Sequence, residues 1–122
     1  MTPGFVLLCI YQGTTFRKTI TLRDDDDRPY DLSSWGARMQ VREHREAPVL
    51  LSLSTATGEI TLGADGAIEL LLSAAVTELL PVRYDYEQWV YDLELYRDDA
   101  GVLEVARPIF GVVVVYPEVT RV

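Results

Sequence analysis

A chain of 122 residues with a formal charge of −8 fits one domain, and its acidity argues against a protein that tracks nucleic-acid phosphates with clustered Lys and Arg. With Cys9 as the one cysteine, an intrachain disulfide is excluded, and no stretch approaches membrane-spanning length. We therefore expect a single domain over residues 1–122, with neither nucleic acid nor a membrane as partner.

The N-terminal segment contains an apolar run, "FVLLCI", over Phe5–Ile10. The run is shorter than the core of a secretory signal peptide, and no Lys or Arg precedes it, so we expect no leader. Within the run, Cys9 is predicted to be a small buried hydrophobic side chain. A nucleophilic thiol would need a nearby base, and the lone His44 lies in a polar connection, "REHREAP".

Alternation of apolar and polar residues predicts strands along most of the chain. The runs "PVLLSLS" and "FGVVVVYP" add two more, and the second is apolar on both faces. A strand of that kind is expected to lie centrally in a sheet or against a partner. The residues predicted to face the interior are Phe16, Ile20 and Leu22, then Ala37, Met39 and Val41, then Ile60 and Leu62, then Ile68, Leu70 and Leu72, then Trp89, Tyr91, Leu93 and Leu95.

Turn-forming segments such as "QGTT", "ATGE", "GADG" and "RDDAG" separate these runs. Short strands at such intervals indicate an all-β fold, and we predict an immunoglobulin-like antiparallel β-sandwich of about 7–9 short strands. One short helix is predicted near residues 73–80, in "SAAVTELLP", with Ser73 as its N-cap and Pro81 as its end. So short a helix must dock through Val76, Leu79 or Leu80.

The run Asp24–Asp27 raises the question of a cation site. Calcium loops normally carry a glycine at the sharp turn, which "DDDDRPYD" lacks. Aspartate also stabilises turns directly, by accepting hydrogen bonds from the backbone two residues on. We predict a solvated hairpin tip, with a weak cation site or a contact with a basic partner as alternatives. No cofactor and no metal ligand is assigned.

The segment "YDLSSW" follows the acidic run directly. Asp31 is predicted to cap a single turn through the amide of Ser33 or Ser34. Tyr30, Leu32 and Trp35 would then close the end of the sandwich. A surface-binding role is the alternative for Trp35.

The aromatic segment "RYDYEQWVYDLELY" and the two-faced apolar strand supply the candidate interface. Rigid aromatic side chains often dominate binding at protein interfaces. The simpler alternative is that one aromatic face is buried, which we favour for Trp89 and Tyr91. The candidate interface residues are Tyr84, Tyr86, Trp89, Val113 and Val115.

Charged residues on two predicted strands suggest pairing across the sheet. Arg38 and Arg42 share one strand face, and Asp92 and Glu94 share another. Cross-strand ion pairs would explain both sets, at roughly 0.2–1 kcal/mol each.

Sequence motifs of common enzyme classes are missing. The chain contains no Gly-rich phosphate loop, no HExxH, no CxxC and no Gly-x-Ser-x-Gly. Carboxylates are plentiful, but none stands out from the turns. We therefore expect a protein that is not an enzyme.

Five segments occur in a fixed order across Gln12–Arg121: "QGTT", "ARMQVR", "GEITLGADGAIELLLSAAVTELLP", "YDLEL" and "YPEVTR". In this order they resemble small structural proteins of tailed bacteriophages and prophages, and among them the N-terminal domain of phage baseplate upper proteins. The resemblance implies a virion structural protein, assembled in the bacterial host cytoplasm, which serves as a tail, baseplate or fibre-attachment adaptor.

Its implied partners are neighbouring virion proteins and further copies of itself, so we expect a homo-oligomer. Docking would use a sheet edge or a loop. Two alternatives remain: a head decoration protein of the same virion, or a carbohydrate-binding β-sandwich module. The second would use Trp35 or the Tyr84–Trp89 region, together with Asp24–Asp27.

Overall fold

The computed structural model describes residues 1–121, most of them in strands. The strands β8 and β9 are 13 and 15 residues long, so the prediction of uniformly short strands is wrong for this pair. The elements are β1 Gly4–Phe5, β2 Leu8–Tyr11, β3 Phe16–Thr21, β4 Gly36–Arg42, β5 Val49–Ser54, β6 Ile60–Leu62, β7 Ala67–Leu72, α1 Ala74–Glu78, β8 Glu87–Asp99 and β9 Val102–Tyr116.

The strands form two sheets. The six-stranded sheet has the order β1-β9-β8-β4-β5, with β2 also paired to β9, and the three-stranded sheet has the order β3-β7-β6. The expected central position of the apolar run in β9 is confirmed, because β8 pairs with it on one side and β1 and β2 on the other. Both N-terminal strands run parallel to β9, so the prediction of a wholly antiparallel fold is wrong there.

The apolar faces of the two sheets share one hydrophobic core. Strands β4, β7 and β8 bury every residue predicted to face inward. In β3, Phe16 is buried and Ile20 is half-buried, and Leu22, just after β3, is half-buried as well. Period-two alternation therefore identified the buried faces of β4, β7 and β8 correctly. The side chains buried almost completely are Trp89, Leu8, Ile10, Leu32, Leu53, Ile68, Leu70, Leu93, Leu95, Ile109, Val41 and Val113.

Cys9 is exposed, so the prediction that its side chain fills the core is wrong. Alternation along β2 places Leu8 and Ile10 in the core and turns Cys9 and Tyr11 outward. The continuous apolar run hid this alternation in the sequence.

The helix α1 begins after Ser73, whose hydroxyl accepts a hydrogen bond from the Val76 amide at 3.3 Å, as the capping prediction required. It docks through Thr77 and Leu80, both buried. The Thr77 hydroxyl donates to the Thr14 carbonyl at 2.8 Å and accepts from the Gly13 amide at 3.1 Å.

The two other predicted helix contacts, Val76 and Leu79, are exposed, and Leu79 is 83% exposed. The prediction of docking through Val76, Leu79 or Leu80 is therefore confirmed for Leu80 alone. Residues two apart on a helix do not share a face, so the inward position of Thr77 turns Leu79 outward.

The acidic run forms a solvent-facing turn, as predicted. One carboxylate oxygen of Asp24 accepts hydrogen bonds from the amides of Asp26 and Arg28, each at 2.9 Å. Arg23 and Pro29 close the loop with a single β-bridge, rather than with a hairpin ladder. The turn therefore needs no bound cation to explain its conformation.

The turn after the acidic loop is also as predicted. Asp31 accepts hydrogen bonds from the side chain of Ser33 at 2.6 Å and from its amide at 3.0 Å, and these bonds lower the pKa of Asp31. Leu32 is fully buried, and Tyr30 and Trp35 pack against the core beside it. This segment closes one end of the core.

Candidate docking surface

Large apolar side chains cover one end of the outer face of the six-stranded sheet. Along β9, Val113 and Val115 point into the core, which turns Phe110 and Tyr116 outward. The register places Phe5 beside Phe110 and Tyr11 beside Tyr116. We call the following exposed set the aromatic surface: Phe5, Tyr11, Tyr86, Val90, Phe110 and Tyr116.

The rings of the aromatic surface contact one another in pairs. Tyr11 and Tyr116 stack with ring centroids 5.3 Å apart, and Tyr86 lies 6.4 Å from Tyr116. Phe5 meets Phe110 edge-to-face at 5.9 Å. Such contacts restrict the side-chain conformations of the rings in the unbound chain, and this lowers the entropic cost of binding a partner through them.

Beside the aromatic surface lies a charged belt, formed by Arg38, Asp92, Glu94 and Arg107. Glu94 accepts hydrogen bonds from Arg38 at 2.9 Å and from Arg107 at 2.7 Å, and Arg107 also approaches Asp92 at 3.2 Å. These hydrogen bonds, the one from Arg38 first, lower the pKa of Glu94. The predicted cross-strand ion pairing is confirmed for Arg38 with Glu94.

Arg42 does not join the charged belt, so its predicted ion pair is wrong. Its guanidinium donates to the Ala47 carbonyl at 2.5 Å and to the Gln40 side-chain oxygen at 2.8 Å. It instead lines a depression on the same outer face, which Asp92, Glu94 and Arg107 of the charged belt also line. We call one part of this depression, formed by Arg42, His44, Arg45, Val90 and Phe110, the basic depression.

Tyr91 and Gly111 hold the N-terminal strand under the aromatic surface. The Tyr91 hydroxyl, from the core side, donates to the Val6 carbonyl at 2.6 Å. A Cβ on Gly111 would collide with that same carbonyl oxygen, so only glycine allows β1 to approach β9 here. The position of Phe5 therefore depends on these two residues.

Replacing Tyr91 with Phe is expected to lower the free energy of unfolding at pH 7 by about 1–2 kcal/mol, because the part-buried Val6 carbonyl loses its hydrogen-bond donor. Burial raises the pKa of Tyr91 above its ordinary value of 10. The Tyr91 hydroxyl therefore holds its proton more tightly in the folded chain than in the unfolded chain. Its contribution to the free energy of unfolding is complete below about pH 10 and is lost as the pH rises further.

Urea denaturation from pH 7 to pH 11 measures both effects. The Tyr91→Phe chain should lose less stability above pH 10 than the wild type. Tyr84→Phe is the matched control, because Tyr84 is 75% exposed. Equal pH dependence in the wild type and Tyr91→Phe chains would contradict the assignment.

The predicted interface residues separate into two groups. Tyr84 and Tyr86 are exposed in the segment before β8, and Tyr86 belongs to the aromatic surface. Trp89, Val113 and Val115 lie in the core, so they are corrected to core residues and are not part of the surface described here. Trp89 Nε1 has no hydrogen-bond partner there.

Five members of the aromatic surface were missed by sequence reasoning: Phe5, Tyr11, Val90, Phe110 and Tyr116. Three of them lie in runs recognised as apolar, but the sequence did not show which face of each run points outward. The two-faced apolar strand around Val113 was the available signal.

The tryptophans do not offer an open face to a sugar ring. The Arg97 guanidinium lies 4.3 Å from the centroid of the Trp35 ring, and Trp89 is buried. Between residues 1 and 121, no group of three or more His, Cys, Asp or Glu side chains is placed to hold a metal ion. In the Tyr84–Trp89 region, by contrast, Tyr84 and Tyr86 are exposed.

No protein-family model matches the chain, and no curated protein matches it. The surface is therefore interpreted from its geometry. No helix in the part of the chain that the structure describes is long and apolar enough to cross a membrane.

Proposed function

We propose that this chain is a non-enzymatic structural protein of a tailed-bacteriophage virion. Its two sheets would form an immunoglobulin-like β-sandwich that docks neighbouring virion proteins, in a tail, baseplate or fibre-attachment position. Support comes from the resemblance over Gln12–Arg121 and from the mostly-β fold with one core. Assembly would take place in the bacterial host cytoplasm.

The observation that carries the proposal is the aromatic surface. Phe5 is 60% exposed, Tyr11 58% and Tyr86 54%. Phe5 and Tyr11 lie on one face of the six-stranded sheet, and Tyr86, from the segment before β8, contacts Tyr116 on that face. Clustered exposed aromatic side chains, as opposed to scattered ones, mark interaction sites. Their ring contacts and the adjacent charged belt resemble the apolar centre and polar rim of a protein interface.

Binding of the purified chain to the products of adjacent genes tests the proposal. The purified chain is mixed with the products of adjacent genes, and complexes are detected by sedimentation velocity. We expect a complex with at least one of them, and we expect the chain in purified virions by mass spectrometry. A strict monomer that binds none of them and is absent from particles would overturn the proposal.

Substitutions then assign the contact to the aromatic surface. Tyr86→Ser combined with Tyr116→Ser should weaken the complex at least tenfold, because two contacting rings are lost. Leu79→Ser is the matched control, since Leu79 is 83% exposed but lies outside the surface. Equal weakening by both changes would show that the aromatic surface is not the contact.

A further inference from the structure

The hairpin of β8 and β9 extends beyond the rest of its sheet. The last residue of β8 that pairs with β4 is Tyr96, opposite Gly36, and pairing of β9 with β1 begins only at Ile109. Residues 97–104 therefore pair only with each other, and we call them the arm. Both edges of the arm lack a neighbouring strand.

The arm has local features that fix its shape. Ala100 and Gly101 have φ values of 52° and 83°, as the two central residues of a type I′ hairpin turn require. Arg97 bonds to Glu104 across the strands at 2.9 Å, and the Gly101 amide donates to Asp98 at 2.9 Å. The arm is thus a shaped projection, although a two-stranded ribbon is only marginally stable in water by itself.

Apolar side chains of the arm are open to solvent. Val102 is 68% exposed and Leu103 is 63% exposed, and Val105, at the base of the arm, is 46% exposed. Adjacent carboxylates make the arm acidic: it carries Arg97 against Asp98, Asp99 and Glu104, so its net charge is 1 − 3 = −2. A partner for the arm should be apolar and basic.

The basic depression has that chemistry. Val90, 38% exposed, and Phe110, 43% exposed, supply its apolar part. Arg42, His44 and Arg45 lie around them, and the side chain of Arg45 is 93% exposed. The charged side chains that line the depression are Arg42, Arg45 and Arg107 against Asp92 and Glu94, a net charge of 3 − 2 = +1, and Arg107 is paired with both carboxylates. This positive lining beside Val90 and Phe110 complements the acidic, apolar arm.

The arm cannot reach the depression of its own chain. Both lie along β8: Val90 is in the depression, and Asp98, the cross-strand partner of Leu103, is eight residues further on. An extended strand covers roughly 26 Å over that length and leads away from the depression. The arm can enter such a depression only on another molecule.

We propose that the arm of one copy lies in the basic depression of a second copy of this chain. This inference rests on the proposed function and deepens it, because it names the chain itself as one docking partner. Leu103 would contact Val90 and Phe110 of the second copy, and the arm carboxylates would lie near its Arg42 and Arg45. Added salt should weaken the association by screening these charges.

Disulfide cross-linking between two variant chains tests the contact directly. Both carry Cys9→Ser, which removes the native thiol; one carries Leu103→Cys and the other Val90→Cys. Mild oxidation of the mixture should give a covalent dimer containing one of each chain. A control mixture replaces Val90→Cys with Leu79→Cys, an exposed position outside the depression. No cross-link, or equal cross-linking in the control, would overturn the proposal.

Sedimentation equilibrium of the full chain gives an independent measure. The Leu103→Asp chain should self-associate at least tenfold more weakly than the wild type, because a charge replaces an apolar contact. Thr61→Asp, an exposed strand position on the other sheet, should associate like the wild type. A monomeric wild type, or an unchanged Leu103→Asp chain, would refute the arm contact.

The two proposals fail separately. Loss of the arm contact with retained binding to a neighbouring virion protein refutes only this inference. Copies that associate through the arm but bind no neighbouring virion protein and are absent from particles refute the proposed function and leave the arm contact standing.

Discussion

Leu93→Ala is expected to lower the free energy of unfolding by about 3–5 kcal/mol, the usual range for a fully buried leucine. Leu93 is 0% exposed and lies in β8, which pairs with β4 on one side and β9 on the other. Little backbone there can move to fill the cavity, because both neighbours are held by ladder hydrogen bonds.

Urea denaturation followed by tryptophan fluorescence measures the change. Val90→Ala serves as the control, because Val90 precedes Leu93 in the same strand but points outward and is 38% exposed. This substitution should lower the free energy of unfolding by less than about 1 kcal/mol. Similar costs for the two substitutions would mean that the inner face of β8 is not packed against the second sheet.

Gly111→Ala is expected to lower the free energy of unfolding by about 3 kcal/mol, because the added methyl group forces an overpacked contact and breaks a buried hydrogen bond. The methyl group would meet the Val6 carbonyl and lie 3.3 Å from the Tyr91 ring. Movement of Val6 would also remove its hydrogen bond from Tyr91.

Denaturation and amide hydrogen exchange report on this change together. The Val6 amide, which bonds to the Phe110 carbonyl at 2.9 Å, should exchange faster in the variant. Gly4→Ala, in the neighbouring strand β1, is the control, since the atom nearest to an added Cβ there, the Pro108 carbonyl oxygen, would lie 3.9 Å away. A Gly111→Ala chain as stable as the Gly4→Ala chain would show that β1 does not approach β9 as described.

Period-two alternation predicted the buried faces of β4, β7 and β8, because each of those strands has one solvent-facing side on which polar residues alternate with the buried apolar ones. The caps of Asp31 and Ser73 were equally predictable, since both depend on residues close in sequence. Sequence reasoning failed where a run was apolar throughout, as around Cys9 and Val113. No alternation marks the inner face of such a run.

The aromatic surface depended on pairings that no local pattern encodes. Tyr11 meets Tyr116 only because β2 lies alongside β9, and nothing in either strand specifies a parallel neighbour. Arg107 entered the charged belt through the register shift opposite Leu93–Leu95, which moved it next to Asp92 and Glu94. Such irregularities follow from tertiary packing.

The parallel pairing of β1 and β2 with β9 has a consequence for synthesis. Leu8 lies opposite Val113, so β1 and β2 cannot pair with their neighbour until the ribosome has synthesised β9. Until then their apolar side chains remain without a partner, and contacts so distant in sequence form slowly. The nascent polypeptide should therefore be most vulnerable to aggregation and proteolysis just before β9 emerges.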